Sequence, residues 1–220
     1  MNTNEITIPV GDGINLKGNL TIPPGANSLV IFSHGSGSSR FSRRNNYVAE
    51  LLNKEKIATL MTDLLTEKED EVYQNRFDID LITERLVTVT NHVLRNPQLQ
   101  NLNVGYFGAS TGAASALKAA AKLGNKIRAV VSRGGRPDLA GEALNIVAAP
   151  TLLIVGSLDT VVIELNQNAY KMLQGEKKLE IVPGAAHLFE EPGKLDIVAK
   201  LATNWFTKYL HHEKVLVNTK

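Results

Sequence analysis

Residues 103–123 are the part of the chain that most constrains its fold. A short apolar run, NVGYF, leads into GASTG at 108–112, and an alanine-rich stretch follows to about Leu123. The apolar run predicts a buried strand and the alanine-rich stretch predicts a helix. The chain must therefore turn sharply from a strand into a helix around Ser110, which favours an α/β arrangement with helices packed on a sheet.

The rest of the chain repeats this alternation of short β-branched runs and longer helical patterns. Further strands are predicted at 28–33, 57–62, 127–132, 151–155 and 178–182, and further helices at 42–54, 78–95, 162–173 and 192–210. Residues 5–10 and 16–22 alternate apolar and polar side chains around a Gly-Asp-Gly turn, which predicts an antiparallel hairpin. We expect one domain over residues 1–220: a mostly parallel, twisted sheet with helices on both faces and an N-terminal antiparallel hairpin.

Two stretches between these elements bear on access to the sheet. Residues 64–77 are rich in Glu and Asp and predict a polar loop. Only about 17 residues separate the strand that ends near Arg133 from the strand that starts at Thr151, and long insertions are where lids and caps are found. We therefore expect no cap domain and an open site.

Composition excludes several classes of protein. The formal net charge is +2 and the basic residues are scattered, so no nucleic-acid partner is expected. The chain has no cysteine, which rules out disulfides, thiolate metal sites and a cysteine nucleophile and favours a cytoplasmic location. No apolar run reaches the ~20 residues that cross a bilayer, so no membrane partner is expected.

GASTG matches G-x-S-x-G, a pattern that lifts a serine hydroxyl above the sheet on a strained turn. Ser110 is therefore the candidate nucleophile, and the N–H of Thr111 at the start of the following helix would face a developing oxyanion. A glycine-rich turn without chemistry is the alternative interpretation of this motif.

Two later segments supply partners in the order expected for such a serine. Asp159, in GSLD beyond the strand TLLIV, would orient and stabilise an imidazolium, although an aspartate there could also cap the next helix. His187, in GAAH after the last strand, would be the general base. The chain also carries His34-Gly35-Ser36 at the end of its third strand, where an N–H, at Ser36, would be the second oxyanion donor.

This order of segments resembles the α/β-hydrolase superfamily over almost the whole chain, and is most similar to its small, capless dienelactone-hydrolase-like branch. The resemblance implies a triad of Ser110, Asp159 and His187, with Ser36 and Thr111 as oxyanion donors. Dienelactone hydrolases use a cysteine nucleophile, whereas Ser110 stands at that position here. Domains similar to this one are also found fused to phosphoribosyltransferase-like domains.

Arginines at the same predicted edge of the sheet are candidate substrate ligands. Arg133 and Arg136, and after them Arg40, could bind a substrate carboxylate or phosphate through paired hydrogen bonds. The alternative is surface arginines paired with Asp63, Asp78 or Asp138.

The residues together predict a serine hydrolase that cleaves a small ester, anionic if the arginines bind it, through an acyl-enzyme without a metal or organic cofactor. A thioesterase, lysophospholipase or peptidase with the same triad, and a non-catalytic binding module or structural domain on the same fold, stay open. A homodimer is compatible with the sequence.

Overall fold

The computed structural model describes residues 2–11 and 13–211, and Asp12 in the predicted hairpin turn and residues 212–220 of the predicted domain lie outside them. Eight strands form one sheet, in the spatial order β1-β2-β4-β3-β5-β6-β7-β8. In chain order they are β1 (Thr3–Gly11), β2 (Ile14–Thr21), β3 (Ser28–Ser33), β4 (Ala58–Thr62), β5 (Asn103–Ala109), β6 (Ile127–Arg133), β7 (Thr151–Gly156) and β8 (Lys177–Val182). β1 pairs with β2 and β2 with β4 in antiparallel fashion, and every other pair is parallel. The predicted parallel sheet with an N-terminal hairpin is confirmed.

Helices cover both faces of this sheet, as the sequence predicts. They are α1 (Arg43–Lys54), α2 (Glu67–Asp70), α3 (Ile79–Arg95), α4 (Thr111–Leu123), α5 (Thr160–Met172) and α6 (Lys194–Leu210). Alternate residues of β3 enter two different apolar clusters, because successive side chains of a strand point to opposite faces. Val30 belongs to a cluster that includes residues of α1 and α6, and Ile31 belongs to a cluster that includes residues of α3, α4 and α5. All six residues of β3 are buried, which explains its uninterrupted apolar run.

Two predicted loops contain short helical turns. Residues 64–77 hold α2, started by a capping box in which Thr66 and Glu69 exchange hydrogen bonds, and a 3₁₀ turn at Tyr73–Phe77. The stretch between β6 and β7 holds 3₁₀ turns at Pro137–Ile146, interrupted at Gly141. The prediction of a plain loop at 64–77 was wrong because so short a helix depends on its cap and shows no apolar periodicity.

The parallel strands place their carboxyl ends at one edge of the sheet. The segments that follow β3, β5, β6, β7 and β8 all leave from this edge, which is where ligands bind in open α/β sheets. Among the described residues, no helix combines the length and apolarity needed to cross a membrane.

Candidate active site

Ser110 occupies the turn between β5 and α4 in a strained conformation. Its φ is 51° and its ψ is −123°, in a region that residues other than glycine rarely adopt. Its N–H donates to the carbonyl of Arg133 (3.3 Å), and its own carbonyl accepts from the N–H groups of Ala113 (3.0 Å) and Arg136 (3.1 Å). Hydrogen bonds from both sides thus hold the strained residue in place.

The glycines of GASTG are required by close backbone packing. A Cβ at Gly108 would lie 2.5 Å from the Cα of Ala113, and a Cβ at Gly112 would lie 2.2 Å from the carbonyl oxygen of Ser33. No side chain fits at either distance, so the start of α4 can approach β3 and β5 only with glycine at both positions.

Asp159 and His187 meet across the loops that follow β7 and β8. The Nδ1 atom of His187 lies 2.6 Å from Oδ2 of Asp159, and the two side chains are 37% and 17% exposed. Asp159 precedes α5, yet its side chain makes no capping hydrogen bond to that helix. The carboxylate is therefore committed to the imidazole, and it favours the tautomer with hydrogen on Nδ1 and a free lone pair on Nε2.

The His187 loop packs on the strand end beside Ser110. Gly134 follows Arg133, whose carbonyl binds the Ser110 N–H, and a Cβ at Gly134 would lie 2.9 Å from the carbonyl oxygen of His187 and 3.6 Å from its Cε1. Among the described hydrogen bonds, none joins Ser110 Oγ to His187. Such a bond is often absent or long in unliganded enzymes and shortens when the substrate binds.

Ser36 and Thr111, the predicted oxyanion donors, are bonded to each other. The N–H of Ser36 donates to the side-chain Oγ1 of Thr111 at 2.9 Å. Gly35 lies against the nucleophile, since a Cβ there would be 3.0 Å from the Cβ of Ser110. From the sequence, only the main-chain N–H of Thr111 was expected to face the oxyanion, although the motif itself places a hydroxyl-bearing residue directly after Ser110.

His34 supports this loop from within. Its Nδ1 contacts the carbonyl oxygen of Gly35 at 3.0 Å, while its Nε2 is buried and has no hydrogen-bond partner among the described residues. Burial lowers the pKa of His34 below its ordinary value, so the ring is neutral near pH 7.

Two of the three predicted substrate-binding arginines are paired within the chain. Arg40 forms ion pairs with Asp63 and with Glu5 (3.1 Å). Arg136 binds the carboxylate of Asp138 through two nitrogens, at 2.9 and 2.8 Å, and this bonding raises the pKa of Arg136. The alternative of arginines paired with Asp63 and Asp138 describes this arrangement.

Arg133 is instead buried, with only 5% of its surface exposed. It donates to Oδ1 of Asn45 in the first turn of α1 (3.0 Å), and its Nε has no partner among the described residues. Burial, and then the charge of Arg44, lower the pKa of Arg133 to about 10. Its charge thus faces α1, and no pattern in the sequence predicted the contact with Asn45.

Two further observations, a cavity and the grouping of possible metal ligands, bear on what the site could bind. A cavity of about 920 Å³ is bordered by His34, Arg40, Phe41, Asp63 and Asp70. Within the described part of the chain, no three His, Asp or Glu side chains are grouped so that they could hold a metal ion.

Similar structures carry the same fold. A dienelactone hydrolase from Anabaena variabilis is 54% identical, with a TM-score of 0.92, over 95% of this chain and 98% of its own. Est1E from Butyrivibrio proteoclasticus is 19% identical, with a TM-score of 0.78, over 93% of this chain and 98% of its own, and this likeness concerns the fold.

Two curated relatives from strains of Mycobacterium tuberculosis are each 54% identical over 206 residues, and both bear the name "Putative phosphoribosyl transferase". The match covers 94% of this chain and 46% of each relative, so the chain spans about half their length.

The model of the dienelactone hydrolase family matches residues 43–212, which is most of the chain and includes all the segments that follow β4. Together with the full-length similarity to the Anabaena variabilis structure, this match shows that the chain belongs to the dienelactone hydrolase family.

Proposed function

We propose that this chain is a serine hydrolase that cleaves a small ester-type substrate through an acyl-enzyme. The observation that carries the proposal is a strained serine, Ser110, in the turn after β5, together with a preformed Asp159–His187 pair whose Nδ1 and Oδ2 atoms are 2.6 Å apart. Backbone strain of this kind persists where the surrounding structure imposes it, and it is concentrated at functional sites.

In the proposed reaction, Nε2 of His187 accepts the proton of Ser110 as Oγ attacks the substrate carbonyl carbon. Asp159 holds the imidazole and stabilises its charged form. The imidazolium then gives its proton to the leaving alcohol, and a water molecule, activated by the same base, releases the acid from Ser110.

The arrangement of the arginines bears on the class of ester. An anionic substrate would have to separate Arg40 from Asp63 or Arg136 from Asp138, or reach the buried Arg133. We therefore propose a small ester as the substrate and treat a negative charge on it as the less favoured case.

The curated relatives are named for phosphoribosyl transfer, and each is about twice as long as this chain. For the half that this chain represents we propose hydrolysis, because Ser110, Asp159 and His187 form an arrangement suited to acyl transfer.

The test is turnover of p-nitrophenyl acetate by the wild-type chain, Ser110→Ala and Ser38→Ala. We expect a burst of p-nitrophenol from the wild-type chain and a kcat at least about 10³-fold lower in Ser110→Ala. Ser38 lies in the same loop as Ser36, and its hydroxyl makes no hydrogen bond among the described residues, so Ser38→Ala should keep its activity.

Labelling by a fluorophosphonate probe, which reacts with activated serines, should be lost in Ser110→Ala and kept in Ser38→Ala. Unchanged ester turnover in Ser110→Ala would rule out the proposed nucleophile. A folded wild-type chain that neither turns over esters and thioesters nor reacts with the probe would instead indicate a binding module.

A further inference from the structure

The hydroxyl of Thr111 is held beside the nucleophile by a single contact. Thr111 is the first residue of α4 and is 5% exposed. Its Oγ1 accepts the N–H of Ser36 at 2.9 Å. A hydroxyl that accepts one hydrogen bond still carries a hydrogen of its own to donate.

That hydrogen has no acceptor among the described hydrogen bonds, unlike those of other buried threonines. Thr83 and Thr90 lie inside α3 and donate to the carbonyls four residues earlier, Ile79 (2.6 Å) and Leu86 (2.8 Å). Thr111 begins its helix, so no helical carbonyl stands four residues before it. The Thr111 hydroxyl is therefore a buried donor that is free to bind another group.

Gly35 and Ser36 relate the position of this donor to that of Ser110. A Cβ at Gly35 would lie 3.8 Å from Oγ of Ser110. The next residue is Ser36, whose nitrogen donates to Thr111. The Thr111 hydroxyl thus lies on the side of Ser110 where the proposed main-chain donors would meet the oxygen of an attacked carbonyl. In this structure the Ser36 N–H points at the threonine oxygen, so it cannot serve the reacting oxygen without releasing that contact.

We propose that the side-chain hydroxyl of Thr111 is itself an oxyanion-hole donor, and that the Ser36 N–H is a positioning group that acts through it. This inference rests on the proposed hydrolase function. As Ser110 Oγ forms its bond to the carbonyl carbon, the carbonyl π pair moves to the oxygen. That oxygen accepts hydrogen bonds from Oγ1–H and N–H of Thr111, and Thr111 keeps its proton. The hydrogen bond that the Ser36 N–H donates to Thr111 Oγ1 strengthens the one that Oγ1–H donates to the substrate oxygen, because hydrogen bonds in series polarise one another.

The test compares Thr111→Val with Thr111→Ser. Valine keeps the shape and removes the hydroxyl, so we expect kcat to fall about 10²- to 10³-fold with little change in KM, since loss of one oxyanion donor acts on the transition state. Serine restores the hydroxyl and should recover most of the lost kcat. A trifluoromethyl ketone, whose adduct with Ser110 carries an oxyanion, should lose affinity for Thr111→Val by a similar factor.

Thr83→Val is the matched control, because it removes a buried threonine hydroxyl from a helix away from Ser110. It should leave kcat and inhibitor affinity unchanged, even if its melting temperature falls. If Thr111→Val does not fold, Thr111→Ala removes the same donor with less bulk.

An unchanged or higher kcat in a folded Thr111→Val, with Ser110 still essential, would overturn the inference. A higher kcat would mean that the hydroxyl obstructs the Ser36 N–H. Full activity in Ser110→Ala would instead overturn the proposed function itself, so the two failures can be told apart.

Discussion

The candidate site has two halves that are built in different ways. The nucleophile half stands on the central strands β3 and β5, where Gly108 and Gly112 allow backbones to approach within distances that exclude any side chain. The acid–base half stands on the loops after β7 and β8, the last two strands of the sheet, where Asp159 and His187 are joined through their side chains.

Side chains also support the acid–base half at other points. The N–H of Ala186 donates to the carboxylate of Glu191 (3.0 Å), and the N–H of Gly184 donates to the hydroxyl of Ser157 (2.7 Å). Substitutions in this half should therefore change activity more than stability. Substitutions of the closely packed glycines in the nucleophile half, Gly108 and Gly112, should first change stability.

The largest effect is expected at the acid. Asp159→Asn should lower kcat by about 10³- to 10⁴-fold, because an amide no longer holds His187 in the required tautomer. The melting temperature should stay close to that of the wild-type chain, since Asp159 makes no capping bond to α5. Ester kinetics and thermal unfolding on the same samples check both parts. A large loss of stability would show that the acid also supports the fold and would weaken the contrast between the halves.

The next effect tests the nucleophile half. Gly112→Ala should reduce the free energy of unfolding by about 3 kcal/mol, because its Cβ would lie 2.2 Å from the Ser33 oxygen and the helix would have to shift. Gly25→Ala is the control: φ at Gly25 is +78°, but apart from its chain neighbours no atom lies within 4 Å of the new Cβ, so only backbone strain of about 1 kcal/mol is added. Urea unfolding measures both variants. Equal losses would mean that packing at the turn is not what fixes Ser110.

The smallest effect tests which contacts hold the His187 loop in place. Glu191→Ala removes the acceptor for the Ala186 N–H, and we expect kcat to fall about 3- to 10-fold while the free energy of unfolding drops by about 1 kcal/mol. Glu190→Ala is the matched control, because the neighbouring carboxylate is 64% exposed and pairs with Arg44. Ester kinetics should separate the two variants. The same kcat for both would show that the loop is held by other contacts.

The strand, turn and helix around Ser110 were predictable because the constraint on them is local. A short strand, a glycine-flanked serine and a helix occupy consecutive residues, so the turn at Ser110 follows from pattern alone. The parallel sheet with its hairpin was predictable for a similar reason, since strand and helix periodicities differ. The Asp159–His187 contact could be anticipated only through chain order, because its partners lie 28 positions apart.

What the sequence could not supply is the direction of individual side chains. Arg133 ends β6 at the expected edge, but strand alternation turns it toward α1 and the buried Asn45. The Ser36–Thr111 bond joins residues 75 positions apart and depends on how closely β3 and α4 pack. Such contacts are set by distances between elements, which periodicity does not encode.

The outermost strands have a consequence for how copies of the chain can meet. β1 carries Pro9 and a register shift next to it, and a proline cannot donate a hydrogen bond to an added strand. β8 carries Lys177, Lys178 and Glu180, whose charges would have to be desolvated if another strand joined it. Growth of the sheet from one molecule into the next is thus disfavoured at both margins.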